Sequence, residues 1–295
     1  MGQALALASP AARAVFEEVD EAIGERLSKL MWSEDQATLM LTENAQPAIM
    51  AVSIAALRVL EADGIRVADK AIFVAGHSLG EYSALCAAGA LTLADTARLL
   101  RRRGQAMQSA VPVGTGAMAA ILGLGLDGCI AAAAEAAEDE VCVVANDNAP
   151  GQVVISGHAA AVTRAIDLAK LRGAKRGMLL NVSAPFHCAL MRPAADAMSE
   201  ALAAVALAST YVALMANVTA APVADAATIR RLLVEQVTGM VRWRESVLAM
   251  VEAGVSDFVE LGGKVLGPMI KRITPDAAMV SAADMAGIEA AAKSL

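Results

Sequence analysis

Gly76-His77-Ser78-Leu79-Gly80 follows an apolar run, Ala71-Ile72-Phe73-Val74-Ala75, and precedes Glu81-Tyr82-Ser83-Ala84-Leu85-Cys86-Ala87-Ala88. These runs predict a strand, a tight turn and a helix, with a serine at the turn. Gly76 and Gly80 carry no Cβ, so strand and helix are free to approach closely around the bend. Ser78 then sits on a strained turn with its hydroxyl exposed. The helix behind it aims backbone N–H groups at any oxyanion formed there. The plainer alternative is a glycine-rich loop whose serine caps the helix.

The chain has 295 residues, 57% of them hydrophobic and 3% aromatic, enough for one large domain or two modest ones. A formal net charge of −7 argues against a nucleic-acid partner. No stretch supplies about 18 uninterrupted apolar residues, so no membrane span is expected. Met1-Gly2-Gln3-Ala4-Leu5 has no cationic segment leading into an apolar core, so no export signal is expected. Cys86, Cys129, Cys142 and Cys188 match no zinc or redox pattern. They read as buried free thiols in a reducing cytoplasm, and no metal site is expected.

Amphipathic helices are predicted over 11–30 and 47–60, the second with Pro47 near its first turn. Another covers 92–107, charged on one face. From Gly116 the pattern becomes β-α-β-β-α-β: strands at 117–122, 141–145, 153–156 and 175–181, helices at 128–137 and 159–171. The second and third strands are joined by the turn cluster Asn146-Asp147-Asn148-Ala149-Pro150-Gly151. That order is a ferredoxin-like unit, placing a small subdomain at 114–181 inside a large α/β subdomain made of 1–113 and 182–295. The large part resumes with helices at 193–205, 227–237 and 245–253, and strands near 212–216 and 257–261. The turn Gly262-Gly263-Lys264 and a last helix follow. Strands alternating with helices imply a mainly parallel sheet covered on both faces.

A serine hydroxyl needs a base, and there are three histidines. His77 lies inside the turn and points away from the reaction face. His158 opens a helix, where a surface or capping role is expected. His187, in Val182-Ser183-Ala184-Pro185-Phe186-His187-Cys188, is the base by elimination, against the alternative of a satisfied core histidine. No acid is assigned as a third member. In α/β-hydrolases the histidine follows the acid near the chain's end, and here a long stretch follows His187. A backbone carbonyl is the expected orienting group.

Gly76 to Leu85 resembles the active-site signature of malonyl-CoA:acyl-carrier-protein transacylases. So do Arg103-Gly104-Gln105-Ala106-Met107-Gln108, Gly114-Thr115-Gly116-Ala117-Met118, Gln152-Val153-Val154-Ile155-Ser156-Gly157 and Pro185-Phe186-His187-Cys188-Ala189-Leu190-Met191. The resemblance spans nearly the whole chain. It implies a hydrolase-like α/β core with a ferredoxin-like insert, Ser78 as nucleophile and His187 as base. It further implies that Arg103 holds the malonyl carboxylate, which a guanidinium fork suits; Arg101 and Arg102 fit a solvated helix face better. Leu79 would offer its N–H to the oxyanion, Gln236 its backbone carbonyl to the histidine, and Phe186 would crowd an α-methyl branch, a preference worth ~1–3 kcal/mol.

The implied reaction is ping-pong transfer of malonyl from malonyl-CoA to the phosphopantetheine thiol of acyl carrier protein, for fatty-acid synthesis. No bound cofactor and a monomeric state are expected. Carrier proteins are acidic, so a basic mouth is expected, with Lys264, Lys271, Arg272, Lys175 and Arg176 as candidates. Relatives normally begin with a strand and a Pro-Gly-Gln-Gly-Ser-Gln loop carrying a second oxyanion N–H. Both are expected to be missing here, leaving a slot in the sheet, through either a start codon set too far downstream or a degenerate protein. The alternatives are a serine thioesterase and a truncated, inactive carrier-binding module.

Overall fold

The computed structural model describes all 295 residues. Six helices come first: α1 (Gln3–Ala8), α2 (Pro10–Ile23), α3 (Leu27–Met31), α4 (Gln36–Met40), α5 (Thr42–Ala62) and α6 (Val67–Lys70). The single helix expected over 11–30 breaks at Gly24, whose φ of 69° closes α2 with a left-handed cap. Helix α5 begins at Thr42, upstream of the Pro47 start expected. Pro47 has no N–H to give Glu43 O. Arg101 Nη1 donates to that carbonyl instead, at 3.3 Å, and also to Asn44 Oδ1, while its Nη2 donates to Glu25. Arg101 is therefore a bracing residue, not part of the solvated face expected of it. Helix α5 is long and apolar enough to cross a membrane, yet most of it is buried in the main core.

Strand β1 (Phe73–Ala75) runs into the serine turn and α7 (Leu79–Ala87) runs out of it; α8 (Leu93–Ser109) is capped by Thr92, whose hydroxyl accepts the Asp95 N–H at 3.0 Å. Next come β2 (Gly116–Leu122), α9 (Leu126–Ala137), β3 (Cys142–Ala149), β4 (Gln152–His158), α10 (Ala159–Leu171) and β5 (Arg176–Leu179). These strands pair antiparallel in the order β3-β4-β2-β5. The two helices pack on them over Ile121, Val153, Ile155, Val162 and Ile166, a ferredoxin-like arrangement.

The stretch from Asn146 to Gly151 is not a turn throughout. Strand β3 continues to Ala149 and only Pro150-Gly151 reverse the chain. Bulges between Val144 and Asn146 and between Asp147 and Ala149 let buried polar side chains reach distant partners. Asp147 pairs with Arg244 at 2.8 Å and Asn148 with His77 at 2.8 Å, while the backbone around Asn146 forms a parallel bridge to Val241. Turn-forming composition reports local preference and is overridden when such partners exist.

After a 3₁₀ turn at Ala189–Met191 come α11 (Arg192–Ala203), β6 (Ala213–Ala216), β7 (Ala221–Val223), α12 (Ala226–Thr238), α13 (Trp243–Glu252), β8 (Asp257–Leu261), α14 (Leu266–Ile273), β9 (Ala278–Ala282) and α15 (Met285–Ser294). Sequence reading misses β7, β9 and α15. Strand β1 pairs parallel with β6, which pairs antiparallel with β7; β8 pairs parallel with β9 in a separate sheet. Between the two sheets lies an apolar cleft of about 690 Å³, walled by Phe73, Val74 and Ala75 on one side and Phe258, Val259 and Leu261 on the other. Neither β1 nor β8 has a strand partner across it.

The two glycines of the turn differ in what they permit. A Cβ on Gly76 would lie 2.0 Å from the backbone C and O of Gly80, whereas a Cβ on Gly80 would meet nothing within 4 Å. Gly76→Ala is expected to destabilise by about 3 kcal/mol or more, because backbone cannot yield as a side chain does. Gly80→Ala should leave stability unchanged or raise it by up to ~1 kcal/mol through reduced chain entropy. Urea midpoints of the two variants check this contrast, and equal losses would refute it.

Candidate functional site

Ser78 precedes α7 with φ 52° and ψ −107°. Only four non-glycine residues have positive φ, and two of them are Ser78 and His187, the latter at φ 60°. Such conformations cost of order 1–3 kcal/mol each and persist only when surrounding contacts hold them. The Gly80 N–H bonds His77 O at 2.9 Å and the Glu81 N–H bonds Ser78 O at 3.1 Å, while the Leu79 N–H has no protein acceptor. It is the free donor at the start of the helix, beside the serine.

His187 is buried, brought in by the loop that leaves β5. Its Nε2 lies 2.8 Å from Ser78 Oγ and its Nδ1 lies 2.8 Å from Gln236 O. A carbonyl can only accept, so Nδ1 carries the proton and donates. Nε2 then presents its lone pair to the serine hydroxyl, which donates to it. Burial and, next, the Arg103 charge hold the His187 imidazole down to about 3, against the Gln236 hydrogen bond. A neutral base is thus available across the ordinary pH range.

Arg103, on α8, is 2% exposed. Nη2 donates to Ser78 Oγ at 3.0 Å and to Gln236 Oε1 at 2.9 Å; Nη1 donates to Gln46 Oε1 at 2.7 Å. The guanidinium lies 5.7 Å from the Tyr82 ring centroid, within cation–π range. Its Nε has no partner. Burial lowers the Arg103 pKa, with Tyr82 and Glu81 opposing; an arginine in this setting stays charged. Ser78 Oγ therefore gives its proton to a neutral imidazole and accepts from a cation, both of which favour the alkoxide.

Gln236, on α12, is fully buried. Besides its carbonyl's bond to His187, its Nε2 donates to Ser78 O at 3.0 Å and to Glu81 Oε2 at 2.5 Å. Burial pushes the Glu81 carboxyl up to about 7, opposed by Gln236, the Asn217 N–H and Arg103. Phe186 is half-buried and packs on Met118, Ala145 and Val154 of the small sheet. The structure brings Ser78, His187, Arg103, Gln236 and Leu79 together, with Phe186 next to the base in the chain.

Sequence reading does not mark Gln46, Glu81 or Asn217 as site residues. Gln46 had one signal, a polar side chain before Pro47 in an apolar helix; Glu81 stood in the quoted motif without a task. The His77 side chain donates through Nε2 to Asn148 Oδ1 at 2.8 Å and makes no bond to the serine. His158 holds the N-cap position of α10 without a side-chain cap bond: its Nδ1 accepts the Val141 N–H at 2.9 Å and ties down the start of β3. Cys188 is buried, its thiol pKa raised by burial, which suits an inert packing residue. Of the basic candidates, Lys264 pairs with Asp284 and Lys271 donates to Pro275 O and Ala277 O. The 690 Å³ cleft touches Leu79 but not Ser78, His187 or Arg103, so it lies behind the turn, apart from these three side chains.

Residues 1–287 match the family model described as acyl transferase domain. The chain is 43% identical over 297 residues to the malonyl CoA-acyl carrier protein transacylase of Bacillus subtilis strain 168, covering 100% of this chain and 92% of that one. The crystal structure of acyl-carrier-protein-S-malonyltransferase from Bartonella henselae superposes with a TM-score of 0.97 at 51% identity, covering 100% of this chain and 94% of that one. A structure described as a type II PKS acyl-carrier protein in complex with its malonyl-transacylase matches with a TM-score of 0.96 at 38% identity, covering 100% and 95%.

Two buried groups make stability depend on pH in opposite senses. The folded pKa of His187, about 3, lies below its ordinary value of about 6.5. Its contribution is present above 6.5 and is lost as pH falls towards 3. That of Glu81, about 7 against 4.5, is raised; its contribution is present below 4.5 and is lost as pH rises through 7. Glu81→Gln removes the second effect alone. The Tm of the variant minus that of the parent should grow from pH 5 to pH 7.5 in a thermal-shift series, and a constant difference would mean Glu81 does not titrate there.

Proposed function

The chain belongs to the acyl transferase domain family, among the malonyl CoA-acyl carrier protein transacylases, and from that membership we propose that it moves a malonyl group from coenzyme A to the phosphopantetheine thiol of acyl carrier protein through malonyl-Ser78. The observation that carries this is one oxygen with two partners: Ser78 Oγ stands 2.8 Å from His187 Nε2 and 3.0 Å from Arg103 Nη2.

His187 Nε2 takes the Ser78 proton as Oγ attacks the thioester carbonyl carbon. The Leu79 N–H receives the oxyanion. The C–S bond breaks, and the CoA sulfur leaves with the proton held on His187. Carrier thiol then gives its proton to His187 and attacks the Ser78 ester; Oγ departs and recovers that proton. Gln236 O keeps the imidazole in the required tautomer at both steps. Arg103, already in reach of Oγ, is placed to hold a carboxylate carried by the acyl group, through fork geometry that a point charge lacks. Phe186 favours malonyl over α-branched donors. The acceptor is an acidic carrier protein, the catalyst acts as a monomer without a bound cofactor, and the four buried free thiols suit a reducing cytoplasm.

A thioesterase would need water admitted to the ester. The burial of His187 and Arg103 opposes that. One observation favours the non-catalytic, carrier-binding reading: β1, which delivers the serine turn, is three residues long and supported on one side only.

Incubation with malonyl-CoA and carrier protein, followed by intact mass measurement, separates the three. Malonyl mass on the protein and then on the carrier is expected. Free malonate with unmodified carrier indicates hydrolysis, and no acyl-enzyme indicates the binding module. Arg103→Ala should lose malonyl transfer by about 10²-fold or more while acetyl transfer falls far less. Equal loss on both donors would make Arg103 structural.

A further inference from the structure

Asn217 follows β6 directly and is 1% exposed. The parallel ladder between β1 and β6 ends at Ala75 opposite Met215; continued, it would place Asn217 opposite His77. At that point the Asn217 side chain takes over from the backbone. Its Oδ1 accepts the Ser78 N–H at 2.7 Å and its Nδ2 donates to Gly76 O at 2.8 Å. One amide thus bridges the two sides of the turn around His77. It is itself fixed: its backbone N–H donates to Glu81 Oε2 at 3.4 Å and its carbonyl accepts the Arg242 N–H at 2.9 Å. Only a group with one acceptor and one donor on a planar unit can make both contacts, which excludes a carboxylate or an apolar side chain.

We propose that Asn217 is a positioning residue for acyl transfer: its amide stands in for the next peptide unit of β6, clamps Gly76 and Ser78, and so holds the serine in its strained backbone geometry. This rests on Ser78 being the nucleophile. By occupying the Ser78 N–H, the clamp also removes that donor from the reaction face, so that the Leu79 N–H alone is left for the oxyanion. Misplacing a nucleophile by about 1 Å costs on the order of 10² in rate, so the effect belongs in the acylation rate and not in KM.

Asn217→Asp tests this, because ionised aspartate keeps the acceptor and loses the donor, while protonated aspartate restores both. Charged or titrating groups in the same network are Glu81, bonded to the Asn217 backbone; Arg103, linked through Gln236; and His187, on Ser78 Oγ. The single-turnover acylation rate with malonyl-CoA is therefore read as a ratio to the parent between pH 5 and 8. The ratio should be down by about 10²-fold at pH 8, recover at least tenfold towards pH 5 in rough terms, and leave KM unmoved; Asn217→Leu should be low at every pH. A ratio within threefold of unity throughout, a pH-independent loss, or a loss confined to KM overturns the proposal. Site-resolved hydrogen exchange on the unaltered protein reads the clamp without a variant. The Ser78 amide should be strongly protected and the Leu79 amide should exchange fast; equal exchange also overturns it. A parent protein that forms no acyl-enzyme sinks the Ser78 reading itself, a separate result.

Discussion

The carbonyl and the side chain of Gln236 together tie Ser78, His187, Arg103 and Glu81 into one buried network. The carbonyl accepts from His187 Nδ1, the side-chain oxygen accepts from Arg103, and the side-chain nitrogen donates to Ser78 O and Glu81. Because a carbonyl cannot donate, the imidazole has one tautomer available, and it is the one with a lone pair facing the serine. Because the amide cannot flip without setting Arg103 against an NH₂ group, the cation's position and the amide's orientation fix each other. A buried polar network is strongest when its members are satisfied, and here, Arg103 Nε apart, the arrangement that satisfies them also turns the imidazole lone pair towards the Ser78 hydroxyl.

How much of this was legible in the chain divides by distance along it. The turn was legible because its parts are adjacent: an apolar run, Gly76, Ser78 and a helix-forming run. The ferredoxin-like unit was legible because its elements alternate within a short stretch. His187 was found by elimination among three histidines and Arg103 by resemblance, since nothing local marks a residue whose partner lies far off. Gln46 and Asn217 were not legible for that reason: each matters through hydrogen bonds to distant segments. The polar run of β3 misled outright, because asparagine and aspartate in sequence look like a turn until Arg244 and His77 are seen to receive them. Strand β9 and α15 were missed where periodicity is weak and pairing to β8 does the organising.

That polar run has a second effect. Asp147 and Asn148 tie the small sheet to α13 and to the serine turn, while Phe186 lies against the same sheet beside His187. The small unit is thus pinned by hydrogen bonds with fixed geometry, not by apolar contact alone, which would tolerate sliding. Its position over the site is set by groups that cannot be buried without those partners.

The cleft between β1 and β8 bears on how the protein behaves in company. Strand edges three and five residues long present backbone donors and acceptors that no neighbouring strand uses, along apolar walls. Open edges of this kind template the pairing of foreign chains. Any extended segment that settles there and binds the folded chain alone shifts the folding equilibrium by mass action.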